Sequence, residues 1–110
     1  MIKMTGSEFL ELGEKFGCPP YYDENCLYLL MPDDKEHWMA YCAEDDEGHI
    51  KYFSCCTEFK YDEDWERVKG VRTEIFKDEK FFVKQFHKAC IDYKKAKNDY
   101  ELELIDKDFK

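Results

Sequence analysis

Two short stretches concentrate the side chains most able to do chemistry. Glu44-Asp45-Asp46-Glu47 is an uninterrupted run of carboxylates, and Tyr61-Asp62-Glu63-Asp64-Trp65-Glu66 packs four more around two aromatic rings. Closely spaced carboxylates imitate a run of phosphates to a basic groove, and an adjacent Trp or Tyr supplies the rigid anchor that dominates interface energies. Solvated hairpin tips are acidic for the blander reason that charge belongs in water. Hard divalent cations also take carboxylate oxygens, but neither run has calcium-loop spacing.

Nitrogen and sulfur ligands offer less. His87 and Cys90 stand at i, i+3 on a helical stretch and, with Cys55 or Cys56, present donors to zinc. Cys55 and Cys56 are consecutive and so face opposite ways if extended, and no C-x-x-C pair exists. His37, His49 and His87 are available as bases for a cysteine nucleophile, yet no spacing selects a pair. The chain has no Gly-rich phosphate loop, no G-x-S-x-G and no H-E-x-x-H. A non-enzymatic protein without a cofactor is expected.

The elements that must position these groups are legible in the hydrophobic pattern. Thr5 with Glu8 forms a capping box, Met4 can staple onto Phe9, and Phe9, Leu12, Gly13 and Phe16 share a face. A helix over 5–16 is predicted, stopped by Gly17 and Pro19-Pro20. Runs at 26–31, 37–43 and 49–56 read as strands of an antiparallel meander, with turns at 32–36 and 44–48. Alternation places Trp38, Ala40 and Cys42 on one face and His37, Met39 and Tyr41 on the other. Both faces are fairly apolar, so one is to be covered by helix, leaving an aromatic surface or a second cover on the other. Residues 57–70 read as a long acidic loop, and 71–76 as a fourth strand.

Asp78 then caps a long helix. Phe82, Phe86, Ala89, Tyr93, Ala96 and Tyr100 recur at helical period, with Lys77, Lys80, Lys84, Lys88 and Lys95 opposite. Beyond Asn98-Asp99 the alternation of 100–104 favours a final edge strand. The predicted fold is α+β in one domain over 1–110: a short N-terminal helix, an antiparallel sheet of three to five strands, and a long C-terminal amphipathic helix packed on one sheet face.

Charge sets the partner class. The 110 residues hold 17 Lys and Arg against 26 Asp and Glu, a net −9, with the deficit concentrated before residue 67. Such a surface repels nucleic-acid phosphates and anionic lipid and attracts basic protein. The lysine face is the one feature favouring nucleic acid, and the net charge opposes it. No apolar run approaches the roughly 20 residues of a spanning helix. The start MIKMTGSEF has no apolar export region, so the six cysteines read as reduced and mostly buried, in a cytoplasmic protein.

In general character the chain resembles the small acidic single-domain inhibitors that phages and mobile elements use against host defence, such as anti-CRISPR and anti-restriction proteins. It is also similar to the immunity proteins of nucleases. The likeness is compositional and rests on no motif. The expectation from the acidic runs is a non-enzymatic inhibitor that occupies the basic nucleic-acid-binding surface of an effector or nuclease, with Glu44, Asp45, Asp46, Glu47, Asp62, Glu63, Asp64 and Glu66 capturing it and Tyr61 and Trp65 anchoring it. The alternatives are a small-ligand or zinc domain with a pocket between sheet and helix, and a homodimer that buries its own aromatics.

Overall fold

The computed structural model describes the backbone of residues 2–108 and the side chains of residues 2–99. Helix α1 (Gly6–Lys15) begins at Thr5, whose side chain accepts the Glu8 amide while Glu8 reaches back to the Thr5 amide. Reciprocal bonding of this kind satisfies amide groups that a helix start otherwise leaves open. The chain leaves α1 through Gly17 at φ +75°, a left-handed conformation that glycine adopts without a Cβ penalty.

Five strands follow: β1 (Pro20–Asp23), β2 (Cys26–Met31), β3 (Asp34–Glu44), β4 (Ile50–Asp62) and β5 (Arg67–Phe76). They form one antiparallel sheet in the order β1-β2-β3-β4-β5. Asp78 accepts the amides of Lys80 and Phe81 to start helix α2 (Glu79–Asp108). The architecture is the α+β arrangement read from the pattern, at the upper end of the strand range.

Both helices pack on the same sheet face. Phe53 and Phe82 stack at 4.2 Å with 6° between planes, and Phe9 of α1 lies against both at 6.1 and 5.7 Å. Leu29, Ala40, Cys42, Phe53 and Cys55 face these rings, and Phe82, Phe86, Ala89 and Tyr93 of the helical stripe are buried against them. Phenylalanine burial on this scale stabilises by about 1.5–3 kcal/mol per ring. Gly13 is required by close approach: a Cβ there would collide with the methyl groups of Leu29.

Three expectations need correction. The acidic 57–70 segment is not a loop: Phe59 and Tyr61 keep turning toward the core, so β4 runs on to Asp62 and the return strand starts at Arg67. Trp38 does not share a face with Ala40 and Cys42. The β2–β3 register pairs Leu29 with Ala40 but Leu30 with Trp38, and the bulge at Met39 sends Met39 and Ala40 inward and Trp38 outward with Tyr41. Residues 20–23, to which the pattern assigns no element, form β1 and pair with β2. Finally, α2 continues through 100–104 to Asp108; the leucines and glutamates of that segment are good helix formers, and their propensity outweighs the alternation.

Candidate functional site

A meander alternates its turns between two ends of the sheet, and this separates the predicted site residues. The Glu44–Glu47 turn lies at one end beside the β1–β2 turn, while the 62–66 turn lies at the other end beside the β2–β3 turn. The 13 residues of β4 hold them about 40 Å apart. One contiguous acidic patch made of both is therefore not formed.

At the first end, Glu44 and Asp45 serve the fold. The Glu44 amide donates to the Asn25 carbonyl at 2.7 Å, tying the two turns together, and its carboxylate lies against Gly6 at the start of α1, where a negative charge complements the helix dipole. Asp45 accepts the amides of Glu47 and His49, both at 2.9 Å, and these bonds, that from His49 foremost, hold its carboxyl below the ordinary carboxylate value. Asp46 and Glu47 point outward, joined by the exposed Asp23 and Glu24. Among the described residues the ion pairs of this end involve His49 alone, with Asp45 and Glu47.

At the second end three of the carboxylates are answered by basic side chains. Arg67 meets Asp34 at 2.9 Å, Lys69 meets Asp62 at 3.2 Å and Lys97 meets Asp33 at 2.7 Å. Asp34 also accepts from His37 Nδ1 and from the Glu36 amide. Burial alone would raise the Asp34 carboxyl, but that amide, His37 and Arg67 together outweigh it and hold it low. Asp62 behaves alike: desolvation opposes ionisation, and Lys69 with the amides of its own turn wins. Glu63, Asp64, Trp65 and Glu66 are exposed, Trp65 at 76%, whereas Tyr61 packs against the core and is not an outward anchor.

Between these hairpins the sheet parts. The β3–β4 ladder runs from Ala40–Cys55 to Glu44–Ile50, and beyond it the β2–β3 and β4–β5 hairpins diverge, bridged by Arg67–Asp34. Two adjoining cavities of about 530 and 310 Å³ fill the cleft and share Glu36, His37 and Arg67.

The larger feature is one the pattern showed only as an apolar second face. Among the described residues no element packs on the sheet face opposite the helices. Across it the register aligns Tyr21 with Tyr28 and Tyr28 with Tyr41, with ring centroids 5.8 and 5.4 Å apart. Trp38 meets Tyr41 edge-on at 5.0 Å, and Tyr52 lies 6.3 Å from it. The tyrosines were visible one per strand, but their cross-strand alignment depends on a register that no local window carries. The ladder adjoins the uncompensated acidic end. Burial first, then Cys26 and the charge of Asp23, raises the Tyr28 phenol, and burial with the neighbouring Tyr52 raises Tyr41, so both keep their hydroxyl protons.

The zinc reading finds no support in geometry. Among the described residues no group of three or more His, Cys, Asp or Glu is placed to hold a metal ion. His87 lies against Phe16 at 5.1 Å, while Cys90 pairs with Cys18, their hydrogen bond raising the Cys18 thiol and lowering Cys90. Burial pushes Cys56 up to about 11 and Cys42 to about 12, which leaves neither a ready nucleophile. The space between sheet and helices is filled by Phe9, Phe53, Phe82 and Phe86. No described helix is long and apolar enough to cross a membrane. Comparison with protein-family models, with curated proteins and with solved structures finds no match to this chain.

Proposed function

We propose that this chain is a non-catalytic binding protein of the cytoplasm that docks on an arginine- and lysine-rich surface of a larger nucleic-acid-binding effector or nuclease and blocks it, as a phage-type inhibitor of host defence or a nuclease immunity protein does. The observation that carries the reading is the uncovered tyrosine ladder Tyr21-Tyr28-Tyr41-Tyr52, bordered by the exposed carboxylates of Asp23, Glu24, Asp46 and Glu47. Guanidinium groups stack on phenol faces, and carboxylates complete their hydrogen bonding. A bare aromatic sheet also suits unpaired nucleic-acid bases, but such sites track phosphates with lysine and arginine, and the border here is negative.

The 62–66 turn moves to a secondary role, because its inner carboxylates are already matched by Arg67, Lys69 and Lys97. Trp65 remains available there as a separate contact.

Tyrosine fluorescence titrated with an arginine-rich peptide and, separately, with a single-stranded oligothymidylate decides between the two ligands. The peptide is expected to bind with an affinity that falls with salt, and to lose binding in Tyr41→Ala. Tighter binding of the oligonucleotide overturns the proposal. Capture from a host lysate at low and high salt then identifies the effector, whose nuclease or nucleic-acid-binding activity the chain must inhibit.

A further inference from the structure

Strand β5 is the longer of the two sheet edges, with one side of its backbone unpaired over ten residues. Such an edge templates the addition of another strand unless something blocks it. Val71 and Ile75 are exposed at 49% and 63%. Ile75 lies on the face of the tyrosine ladder, because it is registered with Ser54 and Ser54 with Tyr41, whereas Val71 falls at a bulge that the register with β4 passes over between Arg72 and Gly70. Arg72 and Glu74 point to the opposite face.

The order of these residues is self-complementary. An antiparallel pairing about a two-fold axis through Thr73 sets Val71 opposite Ile75 of the second copy, twice, and Arg72 opposite Glu74, twice. The two Arg72–Glu74 pairs then fall on one face, with Ile75 on the other and Thr73 meeting Thr73 at the axis. A shift by one residue in either chain places Arg72 against an uncharged residue and breaks the match. Arg72 is held in the single chain only by loose pairs, to Glu58 at 3.4 Å and Glu74 at 3.7 Å, all three exposed. We propose that β5 is a homodimer interface, in which two copies join edge to edge into one ten-stranded sheet.

Lys77, Lys84 and Lys88 flank the same edge and keep the two α2 helices from closing on each other, so contact is confined to the strands. The dimer therefore dissociates on dilution. Joining at β5 leaves the tyrosine faces of both copies open on one side of the continuous sheet, so this inference stands or falls separately from the proposed partner.

Sedimentation equilibrium from micromolar to millimolar concentration provides the test. The unaltered chain is expected to pass from monomer to dimer. Arg72→Glu and Glu74→Arg each put like charges opposite each other and should weaken self-association about tenfold or more. Mixed in equal amounts, the two variants should associate as the unaltered chain does, because each mixed pair restores both opposite-charge contacts. An ion pair within one chain gives no such rescue. Ile75→Lys, exposed and so harmless to folding, should also remain monomeric. A monomeric unaltered chain at all concentrations, single variants that dimerise normally, or a mixture that fails to associate each overturns the interface. So does an acidic peptide that occupies β5 while the chain stays monomeric, since it assigns the edge to another protein.

Discussion

The β3–β4 and β4–β5 turns are nearly interchangeable as sequence, each a knot of carboxylates between two strands, yet the folded chain treats them oppositely. Around the β4–β5 turn, Arg67, Lys69 and Lys97 converge on Asp34, Asp62 and Asp33. Around the β3–β4 turn the ion pairs among the described residues involve one histidine. An acidic run therefore says little about surface potential until the neighbouring strands and helices are in place. Lys97 lies 64 residues from the aspartate it meets. The end with fewer matching bases keeps the stronger field to steer a cationic partner.

Charge reversal breaks or sharpens this contrast most strongly. Asp46→Lys with Glu47→Lys should slow association with an arginine-rich partner about tenfold or more, with little change in melting temperature. Glu63→Lys with Asp64→Lys should slow it less than about threefold, because neighbouring cations already mute that end. Stopped-flow association rates at two salt concentrations measure both. Equal effects would return the 62–66 turn to the primary site.

Stability should show the reverse ranking. Asp34 joins the two diverging hairpins through Arg67 and holds His37 of its own strand, so Asp34→Asn should cost about 1–2 kcal/mol by urea denaturation at neutral pH. Asp46→Asn, exposed and outside the described ion pairs, should be neutral. The pH dependence follows from the sign of the shift. The Asp34 carboxyl is held below its ordinary value of 3.8 in the folded chain, so its contribution is whole above the unfolded value and is lost as pH falls through the lower folded one. The gap between the unaltered chain and Asp34→Asn should therefore close on acidification below about pH 4. A constant gap from pH 7 to acid would mean that Asp34 acts by shape and not by charge.

What the sequence made legible follows from the range of the interactions involved. The α1 capping box, the Asp78 cap and the Phe82–Tyr93 stripe are local, and each stands where the pattern placed it. The span of β2 was read without error, since a short apolar run ends at Pro32. Failures came where distant residues decide. The Met39 bulge is set by pairing with β2, and the extension of β4 to Asp62 by the burial of Phe59 against Tyr93 of α2 and of Tyr61 against the core. For the site, the carboxylates were visible, but their division between two ends and the alignment of four tyrosines were consequences of topology. Tyr21 was lost along with β1, because a four-residue strand after two prolines looks like a connection.

The smallest expected effect concerns the backbone of the same two turns. The β3–β4 turn puts Gly48 at φ +85°, whereas the β4–β5 turn puts Glu66 at φ +52°, in the left-handed region that glycine occupies most cheaply. Glu66→Gly should therefore stabilise the chain by about 0.5–1 kcal/mol, the relief of strain exceeding the entropy that glycine adds to the unfolded state. Gly48→Ala, which meets no steric obstacle, should destabilise by about 1 kcal/mol for the same backbone reason. Paired thermal melts measure the two together. Glu66 also lines the mouth of the cleft beside Trp65 and Arg67. If Glu66→Gly stabilises the fold and also weakens partner binding, the β4–β5 turn holds a functional carboxylate after all. Stabilisation with binding unchanged would leave the acidic end and its tyrosines as the whole of the docking surface.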